Sequence, residues 1–287
     1  MSIYIIWGST YMFNKIVVLE LPPFFLASIR FLSAGLLIFI FLGISGRLKK
    51  ITKNQFINSL IAGFLFLTLG NGAVVWGIQY IDSGFTALLV STQPLVLIIM
   101  LYFLEKKPIY IKTIIGIVLG MLGVFLLVNQ DSIGMSADKW KGIGGVVVAL
   151  ICWGYGSIFV AKADLPKGHF LMTGYQMVLG GVFLFLVSLF IGEPLDAVFT
   201  ISNRAIYSMI YLIVFGSIVA FTSFNYLLQF VSPEKVATST YINPIVAMIL
   251  GWWVLDEQIT SQSIFAGTLL LVGVYFINSS RTKRLRK

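Results

Sequence analysis

The sequence predicts an all-α membrane protein of ten transmembrane helices, arranged as two five-helix repeats of inverted orientation. The first observation behind this is composition: 58% of the 287 residues are hydrophobic, 11% are charged, and the mean hydropathy is +0.96. A soluble chain of this length needs far more polar surface. The second is a series of ten apolar stretches, each long enough to cross about 30 Å of hydrocarbon at about 1.5 Å per helical residue. The third is an internal duplication.

The ten apolar stretches follow one another with short connections. Alternating apolar and polar residues, which would indicate barrel strands, are not seen, so the spans are predicted to be helices. Their predicted bounds are residues 3–21, 23–44, 56–78, 83–103, 111–128, 142–160, 170–191, 205–228, 236–255 and 261–278.

The duplication is visible as matched residues at nearly constant separations. Trp7-Gly8 matches Trp153-Gly154 at an offset of 146, and Pro94 matches Pro244 at an offset of 150. The first repeat is predicted at residues 1–128, the connecting loop at 129–141, and the second repeat with its basic tail at 142–287. Because five spans is an odd number, the second repeat enters the membrane from the opposite side, which predicts a two-fold axis in the membrane plane.

The net charge of +9 is distributed in a way that indicates orientation in a membrane. With a cytoplasmic N-terminus, fifteen of the twenty Lys and Arg residues fall in inner loops and the C-terminal tail. This positive-inside bias predicts a multi-pass protein of the cell membrane with both termini cytoplasmic. The basic loops are expected to contact anionic lipid headgroups, and no nucleic-acid partner is predicted.

Four segments carry a family resemblance: IWGSTYMFNK, LPPFFLASIRF, STQPLVLIIMLYFLE and TYINPIVAMILGWWVLDEQIT. Their order within a duplicated ten-span chain resembles the drug/metabolite transporter superfamily, and specifically its EamA-type exporters. The resemblance implies a ten-helix inverted-repeat fold with a central cavity lined mainly by helices 1, 3, 4, 6, 8 and 9. It also implies transport of small metabolites, amino acids or drugs, usually outward.

Polar and aromatic residues at helical spacing identify the side chains expected to line that cavity. Residues at i, i+3, i+4 and i+7 share one helix face, and such stripes recur on spans 1, 3, 4, 8 and 9. The alternative interpretation of each stripe is hydrogen bonding between helices. The predicted substrate-binding residues are Trp7, Tyr11, Asn14, Lys15, Asn71, Gln93, Trp153, Asn225, Tyr241 and Asn243.

Pro94 and Pro244 are predicted near the middle of spans 4 and 9. Each proline removes one backbone hydrogen bond, and freed polar backbone at this depth is tolerated where it lines a cavity. The preceding residues, Gln93 and Asn243, place an amide beside each break. The prolines are therefore predicted to have a gating or structural role at the cavity. The alternative interpretation is that each proline simply kinks its helix.

Lys15 and Arg30 are the two cations predicted inside spans, at about 9 to 11 Å from the outer helix ends. A charge at this depth is costly unless paired or hydrated, so both are functional candidates. Lys15, on the cavity stripe, is predicted to meet a negative group of the substrate, whereas Arg30 is predicted to have a gating or structural role, for example by pairing with Glu20. Both side chains are long enough to reach outward to the interface instead.

All eleven acidic residues fall at span ends or in loops. A proton-driven exporter of cationic drugs ordinarily needs a deep carboxylate. Neutral, zwitterionic or anionic metabolites are therefore favoured as substrates, moved by facilitated diffusion or exchange.

An enzyme is not predicted, because no nucleophile with a base and no cluster of metal ligands lies at matching depth. The single histidine, His169, has no partner carboxylate, and no cofactor or metal is expected. A phosphate-binding loop is also missing, so ATP is not expected to drive transport. The sequence thus predicts a secondary transporter of small metabolites such as amino acids, an exporter or exchanger working by alternating access. A multidrug efflux carrier is the alternative, and a channel or membrane receptor is a more remote one.

Overall fold

The computed structural model describes residues 2–106, 111–128, 137–237 and 242–279, and throughout these ranges the regular structure is helical. Ten helices are numbered in chain order. They are α1 Ser2–Val18, α2 Pro23–Ile44, α3 Lys53–Gly77, α4 Ser83–Glu105, α5 Ile111–Val128, α6 Ala137–Val160, α7 His169–Phe190, α8 Asn203–Phe230, α9 Asn243–Leu255 and α10 Ser261–Ser279. Short turns Asp196–Phe199 and Pro233–Val236 precede α8 and α9. The prediction of an all-helical chain is confirmed.

Seven of the helices, α2 to α8, are long and apolar enough to cross a membrane. Two shorter apolar helices follow at Asn243–Leu255 and Ser261–Phe276. Large apolar side chains cover the outer surfaces of the bundle; Phe190 is 92% exposed and Phe125 is 60% exposed. Side chains of this kind are stable at a surface only when the surrounding solvent is itself apolar, as lipid is.

The helix ends agree with the sequence prediction where caps or breaks are readable. The predicted bounds of spans 2 and 5 are those of α2 and α5. Thr52 and Gln55 form a capping box that starts α3 at Lys53, three residues before the predicted start. Helix α6 begins at Ala137, so the last part of the predicted connecting loop is helical. There the buried Lys139 donates from Nζ to the carbonyl of Val128 at 2.9 Å, which ties the start of α6 to the end of α5.

Three of the helices that carry polar stripes, α3, α4 and α8, are interrupted by irregular segments. Helices α3 and α8 contain π-helical segments at Phe64–Asn71 and Leu212–Val219. Such segments rotate the side chains that follow and often occur at functional sites. Helix α4 turns at Ser91 and Thr92, between Ser83–Val90 and Gln93–Glu105.

Pro94 and Pro244 lie in the first turns of helical segments, at Gln93–Glu105 and Asn243–Leu255. The missing N–H of a proline costs no hydrogen bond at this position, because first-turn amides have no partner within the helix. The expectation that Pro94 removes a bond in the middle of a continuous helix is therefore wrong.

Two helix pairs pack side by side along much of their length, α2 with α7 and α5 with α10. Small residues permit the close approach in the second pair. A Cβ atom added at Gly273 would lie 2.7 Å from the carbonyl oxygen of Gly116, and one at Gly123 would lie 2.9 Å from that of Ala266. Backbone contact through glycine is typical of helix packing in membranes. The remaining helices surround a central cavity.

Candidate functional site

A cavity of about 90 Å³ lies between α1, α2, α3, α4, α6, α8 and α9. Seven of the predicted substrate-binding residues line it: Trp7, Tyr11, Asn14, Asn71, Gln93, Trp153 and Asn243. The lining also includes Arg30, which was predicted to have a gating or structural role. Helices 1, 3, 4, 6, 8 and 9 all contribute, as the resemblance implied, and α2 adds Arg30 and Phe31.

Aromatic rings form one wall of the cavity. The rings of Trp7 and Trp153 meet edge to face, with centroids 5.8 Å apart and planes at 87°. Trp7 also contacts Phe224 at 5.2 Å, and Trp153 contacts Phe66 at 5.0 Å. The Trp7 indole donates from Nε1 to the carbonyl of Gly216 at 3.3 Å, which fixes the ring. A wall of this kind offers ring faces to the apolar or cationic part of a solute.

Arg30 is the charged residue of the cavity lining, and its side chain is only 2% exposed. Its Nε donates to the Ser217 hydroxyl at 2.8 Å, and its Nη1 donates to the Asn14 side-chain oxygen at 3.4 Å. The Ser217 hydroxyl itself donates to the carbonyl of Leu212 at 3.0 Å, so its one hydrogen is engaged and it accepts from Arg30. The guanidinium also lies over the Phe31 ring, 4.8 Å from the centroid.

The local sequence of α8 makes room for this guanidinium. Gly216 and Ser217 lie in the π-helical segment of α8, facing α2. A Cβ atom added at Gly216 would lie 3.0 Å from Nη2 of Arg30 and 2.9 Å from the Thr10 methyl group. Any side chain at position 216 would therefore compete with the guanidinium for this corner of the cavity.

The expected pairing of Arg30 with Glu20 does not occur. The Glu20 carboxylate instead accepts from the backbone N–H and the hydroxyl of Ser202, both at 2.6 Å. These two hydrogen bonds hold the pKa of the Glu20 carboxyl below its usual value. Among the residues that the structure describes, no carboxylate contacts Arg30, so its hydrogen-bond partners are both neutral.

Amide side chains supply further polar groups in the cavity lining. Gln93 donates from Nε2 to the carbonyl of Leu150 at 3.2 Å, linking α4 to α6. The side-chain oxygen of Asn71 is buried and accepts no hydrogen bond from the described part of the chain. The Tyr11 hydroxyl likewise has no partner within these residues. The cavity thus presents donors at Arg30 and an acceptor at Asn71.

Two of the predicted substrate-binding residues, Lys15 and Asn225, lie outside the described lining of the cavity. Lys15 donates from Nζ to the carbonyls of Ile78 at 2.7 Å and Ile81 at 3.0 Å, at the C-terminal end of α3, where the helix dipole favours a cation. Asn225 is fully buried against α7, and its Nδ2 donates to Thr173 and Gln176. Tyr241 lies outside the described residues.

Several residues of the cavity lining were not predicted from the sequence: Thr10, Phe31, Leu67, Val74, Val90, Ala149, Leu150, Gly216 and Phe221. A signal existed for Thr10, which follows Trp7 by three residues on the same helix face. For the apolar residues no signal was available, because a cavity wall and a packed helix interface have the same composition.

At the end of the molecule where α1 ends, three carboxylates cap helix N-termini across the bundle. These carboxylate contacts join Glu20 to Ser202 at the start of α8, Glu193 to the amides of Phe24 and Phe25 in α2, and Glu257 to Ser83 and Gly84 in α4. In each contact one partner precedes residue 129 and the other follows residue 136. Beside the third contact, burial and the neighbouring Glu257 raise the pKa of Asp82, which Lys15 partly opposes.

The sequence of this chain is similar to those of known membrane transporters. The chain matches the EamA-like transporter family over residues 1–129 and again over residues 140–279. The chain belongs to this family. It is 33% identical over 283 residues to the uncharacterized inner membrane transporter YedA of Escherichia coli K12, covering 96% of this chain and 90% of the relative. The resemblance drawn from the four sequence segments is confirmed.

Two further comparisons agree with the family assignment. The uncharacterized transporter YoaV of Bacillus subtilis is 24% identical over 284 residues, covering 99% of this chain and 96% of its own length. A protein of known crystal structure superposes with a TM-score of 0.67 at 14% identity, over 100% of this chain and 99% of that one. The last similarity concerns the fold alone. The chain is a multi-pass membrane transporter.

Proposed function

We propose that this EamA family transporter moves small metabolites, amino acids among them, by alternating access around the central cavity, as an exporter or exchanger. The observation that carries the proposal is the composition of the cavity lining. A fixed aromatic wall, an arginine and a buried amide oxygen surround a volume of about 90 Å³. Some of the helices that supply these groups precede residue 129 in the chain, and the others follow residue 136. A site shared between two parts of a chain changes shape when the parts move.

Paired features of the structure support the proposed inverted repeat of residues 1–128 and 142–287. The Trp7 indole packs at Gly216, and the Trp153 ring lies 3.1 Å from a Cβ position built on Gly70. Trp153 follows Trp7 by 146 residues, and Gly216 follows Gly70 by the same 146 residues. Two more features recur in both parts: a π-helical segment, and a helix that ends in a left-handed residue, Lys106 in one part and Asp256 in the other.

The carboxylate contacts support a moving closure at one end of the cavity. With cytoplasmic termini, as the positive-inside bias predicts, Glu20, Glu193 and Glu257 lie at the external end. Each contact is formed between the two parts of the chain. When it breaks, its carboxylate and amide groups can form hydrogen bonds with water instead. Such contacts suit a gate that opens and closes, whereas an apolar seal would expose large apolar surface each time.

Orientation is tested first with reporter fusions to full-length protein. A reporter after Lys287 is expected on the cytoplasmic side and a reporter within residues 129–136 on the opposite side. Both reporters on one side would contradict the inverted repeat.

Transport is tested in proteoliposomes with labelled amino acids, run as counter-exchange. Gln93→Ala and Asn243→Ala are expected to lower the transport rate about tenfold or more, because loss of one site hydrogen bond costs on the order of 1.4 kcal/mol. Gln79→Ala is the matched control, since Gln79 bonds only to its own helix at Trp76. Wild-type rates in both cavity variants would place the substrate path elsewhere.

The same vesicles separate the remaining mechanisms. Counter-exchange distinguishes a carrier from a channel, which conducts without it. Facilitated diffusion or exchange is the expected mode, since no carboxylate is among the described residues of the cavity lining. Strong acceleration by an imposed proton gradient would contradict that expectation.

A further inference from the structure

We infer that Arg30 binds the carboxylate of the transported solute, and that the solute class is therefore a monocarboxylate that also carries N–H donors, as an α-amino acid does. This rests on the proposed function and names its substrate class. The starting observation is an imbalance: Arg30 is 2% exposed and lines the cavity, and its hydrogen-bond partners among the described residues, Ser217 and Asn14, are both neutral.

The free donors of Arg30 define what is missing. A guanidinium has five N–H donors in a rigid planar fork. Ser217 and Asn14 each accept one, at Nε and Nη1, so three N–H groups have no acceptor among the described residues. A buried cation without a counter-charge is costly, and an anionic ligand in the cavity would supply both the charge and the acceptors.

The carboxylates of the described residues are not placed to supply this charge. The carboxylates of Glu20, Glu193 and Glu257 are held by helix N-termini at the end of the bundle. The only charged residue in the described lining of the cavity is Arg30 itself. Within the described part of the chain no counter-ion is present, and an anionic ligand in the cavity would supply one.

A carboxylate fits this site better than a phosphate. Its single negative charge balances that of the guanidinium, whereas a phosphate dianion would leave excess negative charge in a cavity whose buried Asn71 oxygen is itself an acceptor. Its two oxygens also match the fork of a guanidinium in a bidentate pair. Ser217 holds the Nε edge, and the missing side chain at Gly216 leaves room for Nη2 of the guanidinium.

A second polar group of the cavity suits the amine of the solute. The buried side-chain oxygen of Asn71 has no hydrogen-bond donor among the described residues, so it is suited to accept from an ammonium or amine group. The Trp7 and Trp153 rings add faces that attract a cation. A zwitterion with one carboxylate and one ammonium satisfies Arg30 and Asn71 together.

The test compares amino acids with molecules that lack only the carboxylate. Purified full-length protein in nanodiscs is titrated with L-valine, L-leucine and L-threonine, and with their α-carboxamides, and binding is followed by thermal stabilisation. We expect at least one amino acid to bind and its carboxamide to bind much more weakly. In Arg30→Gln the Kd of that amino acid should rise about 30-fold or more, as for truncation of a buried charge pair.

Two further variants keep the test decisive if Arg30→Gln does not fold. Arg30→Lys retains the charge without the planar fork, and Ser217→Ala retains the arginine but removes its anchor; each should raise the Kd by a smaller factor, about 3- to 10-fold. Arg204→Gln is the matched control, because Arg204 is exposed and donates to the carbonyl of Val254, away from the cavity. It should bind as the wild type does.

Each outcome decides the matter. Equal binding of amino acid and carboxamide, or unchanged Kd in Arg30→Lys and Ser217→Ala, would overturn the inference. Absence of amino-acid binding to the wild type would also overturn it, while transport of uncharged or cationic solutes would leave the proposed function intact. Carboxylate binding at Arg30 without any transport would leave the carboxylate site in place and remove the proposed function.

Discussion

Replacing Glu257 by Gln tests the carboxylate contacts most directly. Glu257 accepts from the Ser83 amide at 2.7 Å, the Ser83 hydroxyl at 2.8 Å and the Gly84 amide at 3.1 Å. The left-handed backbone of Asp256, with φ of 55°, turns the chain so that the next side chain reaches α4. First-turn amides have no partner inside their helix, so this carboxylate is what satisfies them.

The expected effect follows from these bonds. A glutamine keeps one acceptor oxygen and turns an NH₂ group toward a donor, so at least one bond to a charged acceptor is lost, at about 1.5 to 3 kcal/mol. Loss of the negative charge at the N-terminus of α4 adds about 0.3 to 1 kcal/mol. Because Glu257 is partly exposed, we take the lower part of this range, about 2 kcal/mol, which is roughly a 30-fold change in the opening equilibrium.

Hydrogen exchange of the peptide that contains Ser83 and Gly84 measures this equilibrium. In Glu257→Gln, protection of these two amides should fall about 30-fold, while the α5–α10 interface should keep its protection. Asp256→Asn is the control, because it removes a neighbouring charge and Asn tolerates the left-handed backbone. Unchanged protection in Glu257→Gln, or an equal loss in Asp256→Asn, would refute the reasoning.

Two other predictions concern the same end of the molecule. Lys15→Met should lower the free energy of unfolding by about 2 to 3 kcal/mol, because the carbonyls of Ile78 and Ile81 lose a charged donor. The Kd for amino acids should stay unchanged in this variant. A selective loss of amino-acid binding in thermal titrations would contradict this expectation. The pKa of Glu20 is lowered by its bonds from Ser202, so that contact stabilises the fold above the pKa of the unfolded carboxyl and is lost as pH falls through the folded value. Protection of the Ser202 amide should therefore decrease on acidification below about pH 4, and a pH-independent protection would contradict it.

The helices were largely predictable because their ends carry local signals. The Pro22-Pro23 pair fixes the start of α2, and the apolar run 111–128 defines α5 without any tertiary information. The interruption of α4 was not predictable in the same way. Pro94 suits the first turn of a helix as well as a mid-span kink, and only the turn at Ser91 and Thr92 distinguishes the two arrangements.

The cavity residues were predicted well on α1 and less well where rotation of a helix decides the outcome. Trp7, Tyr11 and Asn14 share a face whatever the packing around them, because helical periodicity alone groups them. Lys15 belongs to the edge of that face, and its long side chain reaches the end of α3 instead of the cavity. Arg30 has similar depth in the membrane, but the direction of its side chain depends on how α2 packs against α8.

The partners of Arg30 connect solute binding with movement of the two parts of the chain. Asn14 lies on α1 and moves with the first part, whereas Ser217 lies on α8 in the second part. If the parts move as proposed, the bond from Nε to Ser217 is the one that crosses between them and changes. A solute carboxylate on the remaining N–H groups then has different affinities in the two states, and only such a difference lets a ligand shift a conformational equilibrium. A ligand needs about 5.5 kcal/mol of difference in binding free energy between two states to move their equilibrium from 1:99 to 99:1. A carboxylate contact of about 2 kcal/mol is a sizeable fraction of that difference.

Ser217→Ala should accordingly weaken the coupling between amino-acid binding and protection of the Ser83 amide, even at saturating amino acid. Full coupling in that variant would separate Arg30 from the conformational change.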